Sequence, residues 1–593
     1  MGGGPKAPFY IALLLVVGGL VYFAMNRSDL LAPKGTQENQ SSGSGTVAPP
    51  VTPGVTPVPS PSPADAGGEA ADTSSVTTVK EYSFRPSERL PAVKGIAGYK
   101  PLADNTVRFA LNVWAGWGPI ILANNGFKPG KVWKTPDGKD FKVELVLIDN
   151  PVTMRDAYAA GEVHIGWATL DMVPLFMEGF VDSSGKPRDS RVMPRIYQQI
   201  DWSNGGDGIV VRENIKTVAD LRGKKLVLAQ NSPSHYFALN MLVSGGVQPS
   251  EVQMVFTDDA FQAAAAFNAQ KDIAGAVSWA PDIYNLEKIR GNRMLVNTGT
   301  ANKLIADVWF ARADFAKDNP GIVEGLVRGI FDAMQDLKNA DAKKRLAELM
   351  AQGYNIPATE ALNMLGDAHN TNWGENYQFF LNQNNPTNFE RVWNQAYYLY
   401  RRIRAITHQP VPFDQVMDFS IIEKLSKEPK YAAQKDEYQI KLVPATVSDI
   451  RGESDEILTN TITIHFYPNS WDLFKKVTKE VDGKQIEELY DPRVDFVLEE
   501  VGRLIGQFGA ARVIIEGHTD SSMKGQIPAS VVKELSMNRA NAVKEALVRK
   551  FKLNPNQFAV EGVGWDRPAD RNDADNNAKN RRVEVRIFSA EKQ

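Results

Sequence analysis

No charged residue interrupts the stretch from Pro8 to Met25, and the roughly sixty residues that follow are too poor in apolar side chains to build a core. Together these two segments confine folded structure to the remainder of the chain. Eighteen residues at a 1.5 Å rise reach about 27 Å, close to the hydrocarbon thickness of a bilayer, so residues 8–25 are predicted to form a transmembrane helix. Lys6 precedes the run and Arg27 and Lys34 follow it, so flanking charge scarcely orients it. A cleaved signal peptide would share this pattern, but Val21-Tyr22-Phe23-Ala24-Met25 offers no small-x-small cleavage site, which favours a retained anchor. From Ala32 to Ala92 the chain is dominated by Pro, Ser, Thr, Gly and Val, including the run Val58-Pro59-Ser60-Pro61-Ser62-Pro63. Such a composition does not offset the entropy of ordering, so residues 26–100 are expected to be a disordered linker with a reach on the order of 45 Å. What remains of the 593 residues exceeds one core, and at least two folded domains are expected.

Composition removes several classes of function. With no Cys the chain has no disulfide, thiolate zinc site, Cys nucleophile or acylated N-terminal Cys. A net charge of −3 carries no signature of nucleic-acid binding. The six His residues are scattered, with neither triad spacing nor a metal-ligand cluster, so no enzyme activity, cofactor or metal is expected.

From Thr106 to about Arg404, short apolar runs (Val107–Leu111, Val143–Leu147, Ile209–Val211, Lys225–Leu228, Ala274–Val277) alternate with helical stretches, the pattern of an α/β domain with largely parallel sheets. Trp114-Ala115-Gly116-Trp117, Ala159-Ala160-Gly161-Glu162-Val163-His164-Ile165-Gly166, Ala219-Asp220-Leu221-Arg222-Gly223-Lys224-Lys225 and Trp279-Ala280-Pro281-Asp282, in this order, resemble a periplasmic solute-binding protein of the nitrate, sulfonate and taurine type. The resemblance implies a two-lobed periplasmic-binding-protein-like domain over residues 101–430, closing on a small ligand by hinge motion. Asn231-Ser232-Pro233-Ser234-His235 follows a strand and opens a helix, so Ser232 and Ser234 either cap the helix or, with its free N–H groups, cradle an anion. Trp114, Trp117, Trp202 and Trp279 stand near strand ends as aromatic walls or as core. Asn204, in the hinge or cleft loop, and Asp282 and Asp201, as partners of a ligand amine or as turn caps, complete the candidate set. With Trp and Asp but few Arg, the set favours a small organic anion or zwitterion.

After a linker at 431–455, residues 456–593 carry Glu516-Gly517-His518-Thr519-Asp520, Leu535-Ser536-Met537-Asn538-Arg539-Ala540 and Asn580-Arg581-Arg582-Val583-Glu584. Val513-Ile514-Ile515 is a strand that delivers Asp520 to its exit loop, and Val532, Leu535, Val543, Ala546 and Leu547 recur at helical spacing around Arg539. An ionised Asp accepts from an ammonium group and an Arg grips a carboxylate with two N–H donors, so a ligand bearing both groups fits between them. These words in this order resemble the OmpA-like peptidoglycan-binding domain, an α+β fold. The resemblance implies that Asp520 and Arg539 hold diaminopimelate of the stem peptide, with Arg581 or Arg582 close by. Val532 stands where that family usually has Asn, and the loop between Asp520 and Leu535 is longer than usual.

Because peptidoglycan lies outside the cytoplasmic membrane, residues 1–7 are expected to form a short cytoplasmic tail and the bulk of the chain to lie in the periplasm, in a single-pass protein of the inner membrane. The expected function is a receptor or adaptor that binds a solute, attaches to peptidoglycan and works with an inner-membrane transporter or channel. The alternative is a structural or stator-like partner that anchors an ion channel to the wall. The acid that such partners carry inside the span is missing between Pro8 and Met25.

Overall fold

The apolar runs of the middle region become the central strands of two sheets. The computed structural model describes residues 68–69, 81–462, 464, 466–481 and 484–589. The tail 1–7, the apolar stretch 8–25 and most of the expected linker lie outside the described residues, among which no helix is long and apolar enough to cross a membrane.

In chain order the strands of the first domain are β1 (Thr106–Leu111), β2 (Trp133–Lys134), β3 (Asp140–Leu147), β4 (Ile165–Thr169), β5 (Pro194–Ser203), β6 (Asp207–Arg212), β7 (Lys225–Ala229), β8 (Gln253–Thr257), β9 (Gly275–Trp279), β10 (Asn292–Asn297), β11 (Ala306–Arg312) and β12 (Ala368–Asn370). One sheet runs β12-β5-β11-β4-β1-β3-β2 and the other β10-β6-β9-β7-β8, giving two lobes. Each has a parallel centre, β1 beside β3 and β4 in one and β7 beside β8 and β9 in the other. The remaining pairs are antiparallel, which corrects the expectation of largely parallel sheets. The chain leaves the first lobe through β5 into β6 and returns through β10 into β11. Neither connection contains a crossover helix of the kind that parallel pairing needs. Thr298 ties the two crossings together: its Oγ1 lies 2.8 Å from Ser203 Oγ and accepts the N–H groups of Gly205 (2.9 Å) and Asp207 (3.1 Å).

The described parts of both expected linkers are ordered. In residues 81–100, Ser87 N–H donates to Ile403 O at 2.7 Å and Lys100 N–H to Gly161 O at 2.9 Å, while Leu90, Val93 and Ile96 pack on the core. Apolar residues dispersed among Pro, Ser and Lys supply burial that average composition conceals. In 431–455, Tyr438 donates to Asn204 Oδ1 at 2.7 Å and Leu442 O accepts from Asn556 Nδ2 at 2.9 Å, so this connection bonds to the domains on both sides of it.

The helices used below are α1 (Pro233–Ser244), α2 (Phe389–Arg402), α3 (Val494–Gln507) and α4 (Ala529–Phe551). The C-terminal domain adds β13 (Glu456–Ile462), β14 (Lys476–Val481), β15 (Lys484–Leu489), β16 (Arg512–His518), β17 (Phe558–Gly564) and β18 (Arg582–Phe588). Its sheet runs β13-β18-β16-β17 beside a β14-β15 hairpin, with α3 and α4 packed together and α4 against β16 and β17. The two domains touch: Arg391 of α2 donates to Glu499 of α3 at 2.8 Å, and Lys303 N–H donates to Gln507 O at 3.2 Å.

Trp309 of β11 anchors the first lobe, fully buried against Phe109 and Tyr197 at ring separations of 5.8 and 5.9 Å, with its N–H on Gln198 Oε1 at 3.0 Å. Trp309→Ala is expected to destabilise this domain by about 3–5 kcal/mol, read as a lower denaturant midpoint by circular dichroism, because a cavity and an unpaired Gln198 remain.

Candidate functional site

Strand β16 ends at His518, and its exit loop delivers Asp520 to a pocket walled by α4. Gly517 permits this approach, since a Cβ there would lie 2.0 Å from Ser536 O on α4. Asp520 is buried: Oδ2 receives Arg581 Nε at 2.5 Å and Oδ1 receives the Ser522 N–H at 2.9 Å. Arg539 is buried on α4, with Nε on Ser470 O at 3.0 Å and its guanidinium 4.8 Å from the Phe466 ring centre. Its other two nitrogens donate to Glu69 Oε1 and Oε2 at 2.5 and 2.6 Å, and Arg581 Nε lies 3.4 Å from the same Oε1. Asp520 and Arg539 are therefore not each other's ion pair; Arg581 and Glu69 stand between them. Arg582 differs. It begins β18 and points to the opposite face, bonding Glu584 at 2.7 Å and Arg567 O at 3.0 Å.

Glu516, His518 and Glu584 offer ligand atoms within 4.8 Å of one another. Their carboxylates are already held by cations: Glu516 by Arg451 (2.6 Å), Arg586 (2.9 Å) and Arg567 (3.1 Å), and Glu584 by Arg582 (2.7 Å) and Arg586 (2.8 Å). Burial alone would raise the Glu516 pKa, but His518, 3.7 Å away, and the Arg586 and Arg567 charges outweigh it and bring it down to about 2. This is an ion-pair core beneath the pocket.

In the first domain the strand ends meet at the crossings. Trp114 Nε1 donates to Asp201 Oδ2 at 3.1 Å, and a Cβ on Gly116 would fall 1.4 Å from that oxygen. Asp307 lies opposite Asp201 in the β5–β11 ladder and opposite Thr169 in β4, and Asp171 follows just beyond. Asp207 opens β6, its carboxylate accepting from Ser203 Oγ at 2.7 Å. Burial raises all four carboxyl pKa values: Asp171 and Asp207 to about 7, and Asp201 and Asp307, neighbours across the β5–β11 ladder, upward together. On the second lobe, Ser232 precedes α1 but turns its hydroxyl back to Ala229 O (2.8 Å) instead of capping the helix. Ser234 Oγ and Asn231 Oδ1 are buried there with no hydrogen-bond partner. Tyr400 of α2 joins the halves, its hydroxyl on Asp171 Oδ2 at 3.3 Å and its ring 6.2 Å from His235 and 6.4 Å from Tyr236.

Trp114, Ser232, Ser234, Trp279 and Asp282 thus sit at strand ends or helix starts facing the crossings, and burial raises the Asp282 carboxyl, with Asp259 adding to it. The other three candidates differ. Trp117 is in the first lobe's core, bonded to Asn112 (2.7 Å) and packed on Phe109. Trp202 is one residue from Asp201 and so lies on the other face of β5, against Phe379, lining a pocket of about 670 Å³ shared with the C-terminal domain. Asn204 lies in the β5–β6 crossing, with its side chain bonded to Gly366 O (3.0 Å) and Tyr438.

The OmpA family matches residues 482–582, and the family described as NMT1/THI5 like matches residues 195–342. The chain joins an NMT1/THI5-like domain to an OmpA domain. The taurine-binding periplasmic protein of Escherichia coli (strain K12) is 28% identical over 196 residues, which is 32% of this chain and 57% of that protein. Outer membrane protein Omp38 of Acinetobacter baumannii is 32% identical over 109 residues, 18% of this chain and 28% of that protein. The crystal structure of the periplasmic aliphatic sulphonate binding protein SsuA of Escherichia coli gives a TM-score of 0.40 at 19% identity, covering 53% of this chain and 97% of that one. The chain spans less than two thirds of the length of both curated relatives.

Sequence reasoning missed Asp171 and Asp307 in the first domain and Glu69 and Asn469 at the OmpA pocket. Asp307 had a signal, as an acid inside the apolar run Ile305–Ala311; Glu69 had none, lying in a segment too polar to suggest burial. An acid whose pKa is raised by folding keeps a proton that the unfolded chain has lost, so stability falls as pH rises from about 4 towards about 7. Asp207→Asn, which has no proton to lose, is expected to match the parent near pH 4 and to exceed its stability by on the order of 1–3 kcal/mol at pH 8, measured by chemical denaturation at both values.

Proposed function

We propose that this chain is a cell-wall-attached periplasmic solute receptor, held in the inner membrane by residues 8–25 with residues 1–7 in the cytoplasm. The single observation that carries the wall assignment is the seat at Arg539: a buried, two-pronged grip on a carboxylate, beside Asp520 and Arg581, in a domain of the OmpA family. A diaminopimelate stem peptide offers the matching carboxylate and ammonium groups. Of the four arginine and aspartate candidates, Asp520, Arg539 and Arg581 line this seat, whereas Arg582 pairs with Glu584 on the opposite face.

For the solute, the reading is a small zwitterion. Four buried carboxyl groups without a cationic partner among the described residues suit an ammonium group. The start of α1, with unpartnered Ser234 and Asn231 oxygens, suits an anionic end. Taurine, named in one relative, carries an amine and a sulfonate and supports this choice. Hinge closure would then signal to, or unload into, an inner-membrane transporter or channel.

Full-length protein is expected to sediment with isolated sacculi, and Asp520→Ala or Arg539→Ala to reduce the bound fraction at least about tenfold; undiminished binding by both would refute the wall assignment. In calorimetry, amino-sulfonates are expected to bind and the same sulfonates lacking the amine to bind at least about tenfold more weakly, a preference that Asp201→Asn removes. Equal binding of both compounds would remove the zwitterion reading.

A further inference from the structure

Glu69 stands 470 residues from Arg539 in sequence, yet its side chain is completely buried in the OmpA pocket. It makes the contacts of a guest. Both carboxylate oxygens rest on Arg539, and one also approaches Arg581. Its backbone N–H donates to Asn469 Oδ1 at 3.0 Å and its C=O accepts from Asn469 Nδ2 at 3.4 Å, so the Asn469 amide reads the peptide unit that bears the acid. The preceding Gly68 lies on Val532, where an added Cβ would meet Val532 Cγ1 at 2.9 Å.

Charge explains why a guest is required. Arg539 and Arg581 are balanced here by Asp520 and Glu69. Without Glu69 a buried guanidinium loses its carboxylate, and an uncompensated buried charge is costly. The pocket therefore demands one carboxylate, drawn from its own chain or from outside.

We propose that Gly68-Glu69 is an internal ligand of the wall pocket, which competes with a stem-peptide carboxylate for Arg539, so that wall attachment requires displacement of the tether. This rests on the wall assignment made above. A tethered ligand acts at an effective concentration in the millimolar range, so a dense mesh of stem peptides displaces it where dilute fragments do not.

The chain has no cysteine, so a Gly68→Cys/Val532→Cys pair in the full-length protein is a clean lock. Mild oxidation is expected to crosslink the pair within one chain and to lower binding to sacculi at least about tenfold, with dithiothreitol restoring it. Glu69→Ala, which leaves the wall pocket unblocked, is expected to bind sacculi about tenfold more tightly than the parent. Failure to crosslink, a crosslink between two chains, or unchanged binding on oxidation would overturn the proposal. If Glu69→Ala binds like the parent while Arg539→Ala does not bind, the tether idea falls and the wall assignment stands. If Glu69→Ala binds equally well with and without Arg539→Ala, the wall assignment falls and takes the competition with it.

Discussion

A guanidinium group withdrawn from water must meet carboxylate or carbonyl oxygens, and this requirement organises much of the molecule. Arg312, fully buried, is forked onto Asp314 at 3.0 and 2.9 Å and also donates to Ala97 O at 2.6 Å, which fastens the 81–100 segment to the first lobe. Arg512 spends its donors on Val443 O and Asn556 O, both at 2.7 Å, and so secures the connection between the domains. At Arg539 the same demand is met by a residue from a remote part of the chain. A buried cation with a replaceable partner is a binding site; one with a fixed partner is scaffolding.

The carboxyl groups of the first domain present the converse case. Asp171, Asp201, Asp207 and Asp307 are gathered at the crossings without a guanidinium or ammonium partner among the described residues, and burial drives them towards the neutral form. Protonated, two such groups share hydrogen bonds instead of repelling. An arriving ammonium group would restore the charged form, so occupancy and proton release are linked at this end of the sheet.

Local patterns carried much of the architecture. The runs at Val107, Val143, Ile209, Lys225 and Ala274 all lie in or overlap strands, and the helical spacing from Val532 to Leu547 around Arg539 lies inside α4. Strand direction was not legible, because antiparallel crossings depend on where the chain re-enters a lobe. Among the site residues, alternation along β5 separates Trp202 from Asp201, and alternation at the start of β18 separates Arg582 from Arg581, so motif membership alone could not assign a face. Glu69 and Asn469 were invisible for another reason: their meeting depends on long-range chain placement that no local window contains.

Both lobes of the first domain rest on the C-terminal domain. The first lobe's side does so through Arg391 on Glu499 and the Lys303–Gln507 backbone bond; the second does so through the turn Val218–Leu221 and α1, which pack against β13, and through Arg293 of β10, 3.3 Å from Asp455 just before β13. Two feet planted on one plate do not swing together unless one of them slips. At the second foot the ion pair adds little, since the Asp455 side chain is 63% exposed and screened by solvent, and apolar packing against β13 holds it. A swing of the lobes would therefore have to slide this packing along β13, turning the motion of a jaw into a shift of footing on the domain below.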